Sequence, residues 1–305
     1  MLLSIMNIIP SGKTSCQLHL TTFHVFAVFN VAFGEGWGLC YSWIATALSQ
    51  GYSTLAIDRI GNGLSDHPDP TQIVQIPVHV ESIHQIVRSV RAGHDPFPRS
   101  FAKVIYVGHS IGSIVGNMLN VRYPTDVDAT ILTGFSNQFT PAVGNILSNM
   151  KTLPAAIVQP SRYGNLETGY LDPSFKPGVQ FAFFYPGGYD VRLFDYNYSI
   201  RGTITLGEII TVFSTIIPAP QYTGPIYIIT GQHDALFCNP LGNSTVEPDC
   251  GTHDRGYLEQ TKNLYPNTKT YGWYVPPKSG HCWQLHYDAL VTFAKAHIWL
   301  DENGL

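Results

Sequence analysis

The sequence Gly-His-Ser-Ile-Gly at 108–112 constrains the fold of this chain more than any other stretch. It follows an apolar, mostly β-branched run at 104–107 and precedes a helix-like stretch that extends to Tyr123. A buried strand that turns sharply into a helix needs small residues where the two segments approach, and it exposes the residue at the bend. The hydroxyl of Ser110 would then lie at a helix N-terminus, which favours negative charge. This context predicts a nucleophile at Ser110 rather than a chance Gly/Ser turn.

Strand-like and helix-like segments alternate along most of the chain. Apolar runs predict strands at 23–32, 53–57, 104–107, 129–132, 225–231 and 271–275, and amphipathic spacing predicts helices at 41–50, 77–92, 110–123 and 287–300. The inward residues are expected to be Val80, Ile83, Val87 and Val90 in the second helix, and Leu290, Phe293, Ala294 and Ile298 in the last. The alternation predicts an α/β fold with a mostly parallel sheet flanked by helices.

Residues 136–220 interrupt this pattern, because Pro and Gly break the segment often and aromatic residues cluster in it. Helical pieces are predicted near 143–151 and 206–214. We interpret the segment as a largely helical cap inserted into an α/β core formed by 1–135 and 221–305. The sequence is compatible with two roles for the clustered aromatic residues: they could line a pocket or pack into the core. These residues are Phe181, Phe183, Phe184, Tyr185, Tyr189, Phe194, Tyr196 and Tyr198.

The composition indicates a globular protein with a large core and a lightly charged surface. Hydrophobic residues make up 44% of the 305 residues, charged residues only 12%, and the net charge is −4. No basic footprint indicates a nucleic-acid partner or an anionic membrane. The apolar runs at 1–9 and 18–33 are shorter than the about 20 residues that a membrane span needs, so we expect no stable membrane insertion. The oligomeric state has no signature in the sequence.

Five cysteines are too few for a disulfide scaffold, but two of them flank one polar loop. Cys238 and Cys250 enclose a glycosylation sequon at 243–245, and a second sequon lies at 197–199. A bridge between these cysteines would indicate an oxidising, secretory environment, whereas two free thiols in a cytosolic enzyme are the alternative. A secreted location is slightly favoured over a cytoplasmic one.

Three further motifs, combined with the serine motif, give the sequence a clear resemblance. Thr-Gly-Gln-His-Asp at 230–234 follows a predicted strand, Ser-Gly-His-Cys lies at 279–282, and Asp-Arg-Ile-Gly-Asn-Gly-Leu-Ser-Asp occupies 58–66. Over residues 41–135 and 223–300 the chain resembles the α/β-hydrolase superfamily, in particular fungal members with a single cap insertion. The resemblance implies Ser110 as nucleophile, Asp234 as acid and His281 as base, in the chain order that this fold uses.

These three residue types suit acyl transfer. A serine hydroxyl becomes a good nucleophile when an adjacent imidazole removes its proton, and a carboxylate on the other ring nitrogen fixes the tautomer of that imidazole. Asp234 and His281 both follow predicted strands, so they can meet Ser110 at the carboxyl edge of a parallel sheet. One oxyanion donor is expected from the N–H of Ile111. No His, Cys or Glu spacing indicates a metal site, and we expect no cofactor.

Other titratable residues near these motifs compete for the same roles. His286 is the main alternative base, and Asp58 is an alternative acid whose position resembles a structural loop. We interpret His109 as a packing or polar-shell residue and Cys282 as buried packing rather than a second nucleophile. His233, next to Asp234, would shape the mouth of the site.

The loop after the first predicted strand departs from the family pattern. That strand usually ends in His-Gly and is followed by the second oxyanion donor, but here Phe-Asn-Val-Ala-Phe-Gly-Glu-Gly stands at 29–36. Gly34, Glu35 and Gly36 are the expected oxyanion-loop residues. The loss of one such donor lowers the rate by about 10²–10³-fold in enzymes where it has been tested. The residues expected to contact substrate are Trp37, His109, Phe184 and Tyr185.

The favoured function is therefore hydrolysis of carboxylic esters or lactones with apolar groups, through an acyl-enzyme on Ser110. The aromatic-rich insertion motivates the apolar substrate. Epoxide and haloalkane hydrolysis are disfavoured, because relatives with those activities carry Asp where this chain has Ser110. The alternatives are a non-catalytic or weakly catalytic small-molecule-binding relative, which the altered oxyanion loop favours, and an acyltransferase or lyase that uses the same triad.

Overall fold

The computed structural model describes residues 5–9, 24–29, 41–97, 99–139, 142–239, 248–251 and 256–305. The strands, in chain order, are β1 (Ile5–Ile9), β2 (His24–Phe29), β3 (Ser53–Ile57), β4 (Lys103–His109), β5 (Ala129–Thr133), β6 (Thr152–Pro154), β7 (Tyr170–Pro173), β8 (Ile204–Thr205), β9 (Ile226–Ile229) and β10 (Tyr271–Tyr274). The helices are α1 (Trp43–Ser49), α2 (Ile76–Ala92), α3 (Ile111–Arg122), α4 (Ala142–Asn149), α5 (Ala155–Val158), α6 (Pro160–Tyr163), α7 (Lys176–Phe183), α8 (Val191–Ile200), α9 (Leu206–Val212), α10 (Tyr257–Gln260) and α11 (Ala289–Glu302). Short 3₁₀ helices lie at Thr261–Leu264 and Trp283–Leu285.

The predicted, mostly parallel sheet is confirmed. Its strand order is β1-β3-β2-β4-β5-β9-β10, with β1 antiparallel to β3 and the other neighbouring pairs parallel. The sequence did not predict β1, because a five-residue apolar run shows no period that separates it from other apolar segments. The carboxyl ends of the parallel strands share one edge of the sheet, and the loops that leave this edge carry the candidate site.

Strand β4 is buried on both faces, which explains its continuous apolar sequence. Successive side chains of a strand point to opposite faces, so Val104 and Tyr106 join the core beneath α2 and α3. Ile105 and Val107 join the opposite core, which contains Phe293 of α11. The motif strand therefore lies in the middle of three packed layers.

The predicted inward residues are confirmed for α2 but mostly wrong for α11. In α2 the predicted inward residues Val80, Ile83, Val87 and Val90 are all buried, and Gly93 ends the helix in a left-handed conformation. In α11 only Phe293 of the predicted inward set is buried. Leu290, Ala294 and Ile298 are exposed, whereas the buried face includes the polar residues Thr292 and His297. The prediction was wrong there because it followed the most hydrophobic residues, while Trp43 donates a hydrogen bond to His297 and holds that face inward.

The segment between β5 and β9 carries α4 to α9 and a small antiparallel sheet of order β6-β7-β8. It includes the predicted helical pieces near 143–151 and 206–214. The separate cap with boundaries at 136 and 220 stays a prediction. Among the described helices, none is both long enough and apolar enough to cross a membrane.

Candidate active site

Ser110 occupies a strained turn between β4 and α3. Its backbone has φ 55° and ψ −117°, a combination that a residue with a side chain rarely adopts. The strand and helix nearly collide there, because a Cβ on Gly108 would lie 2.4 Å from the carbonyl oxygen of Gly112. The N–H of Ser110 donates to the carbonyl of Thr133 at 2.9 Å. The turn thus presents the serine side chain above the sheet edge, as the sequence predicted.

Hydrogen bonds to the end of β5 hold this turn in place. The hydroxyl of Ser113 donates to the carbonyl of Thr133 at 2.7 Å and accepts from the N–H of Thr133 at 2.9 Å. The Thr133 hydroxyl donates to the carbonyl of Gly108 at 3.0 Å. These contacts offset the strain at Ser110, which is of the order of 1–3 kcal/mol for such backbone conformations.

Asp234 and His281 form a buried pair at the same sheet edge. Asp234 follows β9, and its Oδ1 accepts the N–H groups of Leu236 and Phe237 at 2.9 and 3.0 Å. Its Oδ2 lies 2.7 Å from Nδ1 of His281, and both side chains are at most 1% exposed. Because a carboxylate only accepts, the proton of the neutral imidazole belongs on Nδ1, which leaves Nε2 as an acceptor. Nε2 is buried and has no hydrogen-bond partner among the residues that the structure describes.

His109 lies against His281 without competing for Asp234. The two ring centroids are 4.7 Å apart, and Nδ1 of His109 is 2.9 Å from the hydroxyl of Thr133. Burial, and secondly the repulsion that a protonated His281 would exert, hold the pKa of His109 well below its ordinary value. His109 is therefore neutral, and it is one of the residues lining the cavity beside Ser110.

The alternative base, His286, has both ring nitrogens bound to the main chain. Its Nε2 accepts the N–H groups of Tyr185 and Gly280 at 3.0 and 3.1 Å, and its Nδ1 lies 2.9 Å from the carbonyl of Cys282. Burial, the largest influence, lowers the pKa of His286 to about 4. A neutral imidazole with both nitrogens occupied positions loops and has no lone pair for a substrate proton.

The remaining competing residues also have structural contacts. Oδ2 of Asp58 accepts the N–H of Leu64 at 3.0 Å and closes the loop at 58–66. His233 stacks on Tyr185 with centroids 3.7 Å apart. Burial, followed by the charge of Asp234, raises the pKa of the Cys282 thiol, so this free cysteine stays protonated.

A cavity of about 680 Å³ joins Ser110 and His281. Much of its wall is apolar and comes from the segment between β5 and β9 and from loops at the sheet edge: Phe139, Ile146, Leu147, Met150, Val179, Phe183, Leu236 and Leu285. The polar remainder includes Asp58, Arg59, Asn62, Arg162, Arg201 and Gln284. An apolar wall with a few polar groups is typical of a site for a small, mostly apolar molecule.

Two aromatic residues expected to contact substrate lie elsewhere. Phe184 is 2% exposed and packs against Tyr189 and Phe194, and neither it nor Tyr185 lines the cavity. Phe183 faces the cavity instead, with its ring centroid 5.5 Å from that of His281. The chain leaves α7 at this point, and sequence periodicity does not determine which of two adjacent aromatics faces inward once a helix ends.

The predicted oxyanion residues are only partly within the described structure. Ile111 is the first residue of α3, so its N–H has no acceptor within the helix and is available beside Ser110. Gly34, Glu35, Gly36 and Trp37 lie outside the described residues, as does the sequon at 243–245. The other sequon begins at Asn197, in α8, and that residue lines the cavity.

A buried ion pair beneath the cavity was not found by sequence reasoning. Arg59 lies 2.7 Å from Glu208, and Nε2 of His79 lies 2.9 Å from the same carboxylate oxygen. Burial alone raises the pKa of Glu208, but the charge of Arg59 and the contact with His79 outweigh it and lower the pKa to about 2. The pair joins the loop at 58–66 to α9. A buried Glu in a capping box, Thr205-x-x-Glu208, was the only local signal.

Cys238 and Cys250 form a disulfide next to the Asp234 turn. The N–H of Cys238 donates to the carbonyl of Asp234 at 2.9 Å, and the N–H of Cys250 donates to the carbonyl of Gln232 at 2.8 Å. The bridge therefore supports the turn that holds the carboxylate. Among the described residues, no group of three or more His, Cys, Asp or Glu side chains is arranged to hold a metal ion.

Comparisons with known proteins identify the fold. Residues 28–293 match the model of the Alpha/beta hydrolase family. No curated protein sequence matches the chain. Similar solved structures include a monoacylglycerol lipase from Paleococcus ferrophilus, with 14% identity, 98% of each chain covered and a TM-score of 0.61. A thermophilic esterase from Thermogutta terrifontis has 12% identity over 98% of this chain and 93% of that chain, with a TM-score of 0.63. An esterase from Exiguobacterium antarcticum has 16% identity over 98% and 94%, with a TM-score of 0.58.

Proposed function

The chain belongs to the alpha/beta hydrolase family, and we propose that it is a serine hydrolase that cleaves carboxylic esters or lactones with an apolar part. One observation carries the proposal. The buried Asp234–His281 pair leaves Nε2 of His281 without a partner in the described structure, and both His281 and Ser110 line the same largely apolar cavity. An imidazole held by a carboxylate on one side and free on the other is the arrangement that activates a serine.

In the proposed first step, Oγ of Ser110 attacks the substrate carbonyl while Nε2 of His281 takes the hydroxyl proton. The negative oxygen of the tetrahedral intermediate accepts a hydrogen bond from the N–H of Ile111, at the positive end of α3. Asp234 stabilises the imidazolium and keeps Nδ1 protonated. Collapse of the intermediate breaks the ester bond, His281 returns the proton to the leaving alcohol, and the acyl group remains on Ser110.

In the second step, water replaces the alcohol. His281 takes a proton from the water, the resulting hydroxide attacks the acyl carbonyl, and Ser110 leaves with that proton as the acid product is released. For a lactone, the alcohol and acid stay in one molecule. The apolar wall from α4 and α7 supports an apolar acyl or alcohol group, and we propose that residues 136–220 act as the cap over it.

A fluorophosphonate probe, which reacts with activated serines, tests the proposal directly. We expect labelling of the wild-type protein and none of Ser110→Ala, with turnover of p-nitrophenyl esters of several chain lengths lost in parallel. Ser49→Ala is the matched control, because Ser49 is an exposed serine on α1 whose hydroxyl donates to the carbonyl of Thr46 in the same helix. Labelling that persists in Ser110→Ala would exclude Ser110 as the nucleophile.

A second candidate function is small-molecule binding without efficient turnover. The absence of the His-Gly pair, where Phe-Asn-Val-Ala-Phe-Gly-Glu-Gly stands at 29–36, favours it, because the family takes its second oxyanion donor from this loop. A folded wild-type protein that neither reacts with the probe nor hydrolyses any ester would support this candidate. Transfer of the acyl group to an added alcohol in preference to water would instead support an acyltransferase.

A further inference from the structure

Asn62, which lines the cavity, carries a hydrogen-bond donor that meets no acceptor among the described residues. Its side chain is buried, with 6% exposure, and lies in the loop at 58–66 that follows β3. Its Oδ1 accepts the N–H of Thr203 at 3.1 Å. This contact determines the orientation of the amide, because only the oxygen can face an N–H group. Nδ2 is the other terminal atom, and within the described parts of the chain it is buried without a partner.

A buried donor without an acceptor is rare in folded proteins, and it needs an explanation. Asn62 lines the same cavity as Ser110 and His281, so a bound molecule can supply the missing acceptor. We propose that Nδ2 of Asn62 donates a hydrogen bond to a second oxygen atom of the substrate, separate from the scissile ester group. The inference rests on the proposed function and specifies its substrate class: esters or lactones whose apolar part carries a further oxygen acceptor.

The sheet geometry indicates how far this acceptor lies from the reacting carbonyl. Strands β3 and β4 flank β2, with Ala56 and Val107 both paired to Val28. The loops that hold Asn62 and Ser110 therefore leave the sheet at the same level, two interstrand spacings or roughly 10 Å apart. From this separation of the two loops, we expect the acceptor several bonds along the acyl or alcohol chain, rather than on the reacting ester group itself.

The charges around Asn62 favour a neutral acceptor over a carboxylate. Arg59 is already paired with Glu208, and it also donates to the carbonyl of Thr203 at 2.7 Å. Arg201 is paired with Asp172, 2.8 Å away. Asp58, an acidic residue, lines the same cavity. Arg162 lines the cavity with one N–H group donated to the carbonyl of Arg201, and it is exposed to solvent. A ketone, ester, ether or hydroxyl oxygen therefore suits the site better than an anion.

The test uses p-nitrophenyl esters in three matched series: plain alkanoates, oxoalkanoates with the ketone at positions 4 to 8, and chains that end in a carboxylate. For the wild-type protein, we expect kcat/KM to exceed that of the plain ester of equal length at one or two ketone positions, by roughly tenfold. The carboxylate series should show no such gain. A gain restricted to carboxylates would overturn the neutral acceptor.

The variant Asn62→Asp tests the role of the Nδ2 donor alone. The new carboxylate keeps an oxygen for the N–H of Thr203 but replaces Nδ2 by a second acceptor. We expect the ratio of kcat/KM between the best oxoalkanoate and its plain ester to fall roughly tenfold. Asn120→Asp is the matched control: Asn120 is buried in α3, its oxygen accepts from the hydroxyl of Thr130 at 3.2 Å, and it does not line the cavity. This variant should keep the wild-type ratio.

The outcomes separate the inference from the proposed function. A flat ketone series in a wild-type protein that hydrolyses plain esters would overturn the inference alone. An equal loss on both substrates in Asn62→Asp would mean that Asn62 only positions Thr203, and it would also overturn the inference. The absence of any ester hydrolysis would overturn the proposed function instead. If Asn62→Asp fails to fold, as judged by circular dichroism, the wild-type series decides by itself.

Discussion

Gly134 gives the sharpest test of the proposed triad, because it lies directly against the imidazoles of His281 and His109. The residue follows β5 with φ +53°, and its N–H donates to the carbonyl of Ile229 at 2.8 Å. In Gly134→Ala, the added methyl would lie 2.7 Å from Cε1 of His281 and 2.8 Å from Cε1 of His109. The methyl therefore enters space that the two rings now occupy.

The size of the effect follows from these distances. Ordinary contacts begin at 3.4 Å, so the ring of His281 must move by about 3.4 − 2.7 = 0.7 Å. Nδ1 of His281 lies only 2.7 Å from Asp234, so such a movement changes the hydrogen bond that orients the base. Displacements of about 1 Å cost on the order of 10²-fold in rate. Overpacking and the positive φ together should lower the free energy of unfolding by about 2–4 kcal/mol.

The assay compares kcat for a p-nitrophenyl ester and the rate of fluorophosphonate labelling, with urea unfolding as the measure of stability. Gly187→Ala is the matched control, because Gly187 also has a positive φ, +83°, but has open space where the methyl would go. The control should lose about 1 kcal/mol of stability and keep its kcat. If folded Gly134→Ala keeps kcat within about threefold of this control, the proposed role of His281 as oriented base is refuted.

Three further predictions concern the groups around the site. Glu208→Gln should lower the free energy of unfolding by about 3–5 kcal/mol in urea titrations, because Arg59 loses its buried partner. The pKa of Glu208 is lowered from 4.5 to about 2, so the carboxylate stabilises the fold fully above pH 4.5 and progressively less as the pH falls toward 2. Wild-type stability should therefore drop by about 3 kcal/mol more than that of the variant over this range. His286→Ala should lower stability by about 2 kcal/mol or more, because the N–H groups of Tyr185 and Gly280 lose their acceptor, but it should leave fluorophosphonate labelling intact. Abolished labelling would make His286 a candidate base again. Replacement of both Cys238 and Cys250 by Ser should lower stability by about 3 kcal/mol, the value for a loop closed over 12 residues, and an unchanged melting temperature would contradict it.

Much of the fold was predictable because its signals are local. The burial of β4 follows from a short apolar run, and the inward face of α2 follows from helical spacing. The turn at Ser110 needs glycine at 108 for a contact only four residues away. The failures share a different cause. The inward face of α11 depends on a neighbour more than 100 residues away in the chain. The choice between Phe183 and Phe184 at the cavity depends on the direction that the chain takes after α7 ends.

The sequence by itself determined that a serine stands at a strand-to-helix turn and that an Asp and a His follow later strands. Only the tertiary structure decided which partners those side chains meet. Parallel strand order brings Asp234 within 2.7 Å of His281 across 47 residues, while the main chain occupies both nitrogens of His286. It also buries Nδ2 of the cavity-lining residue Asn62 without an acceptor among the described residues. Turn chemistry and periodicity act within a few residues, whereas the pairing of buried polar groups depends on how distant segments pack.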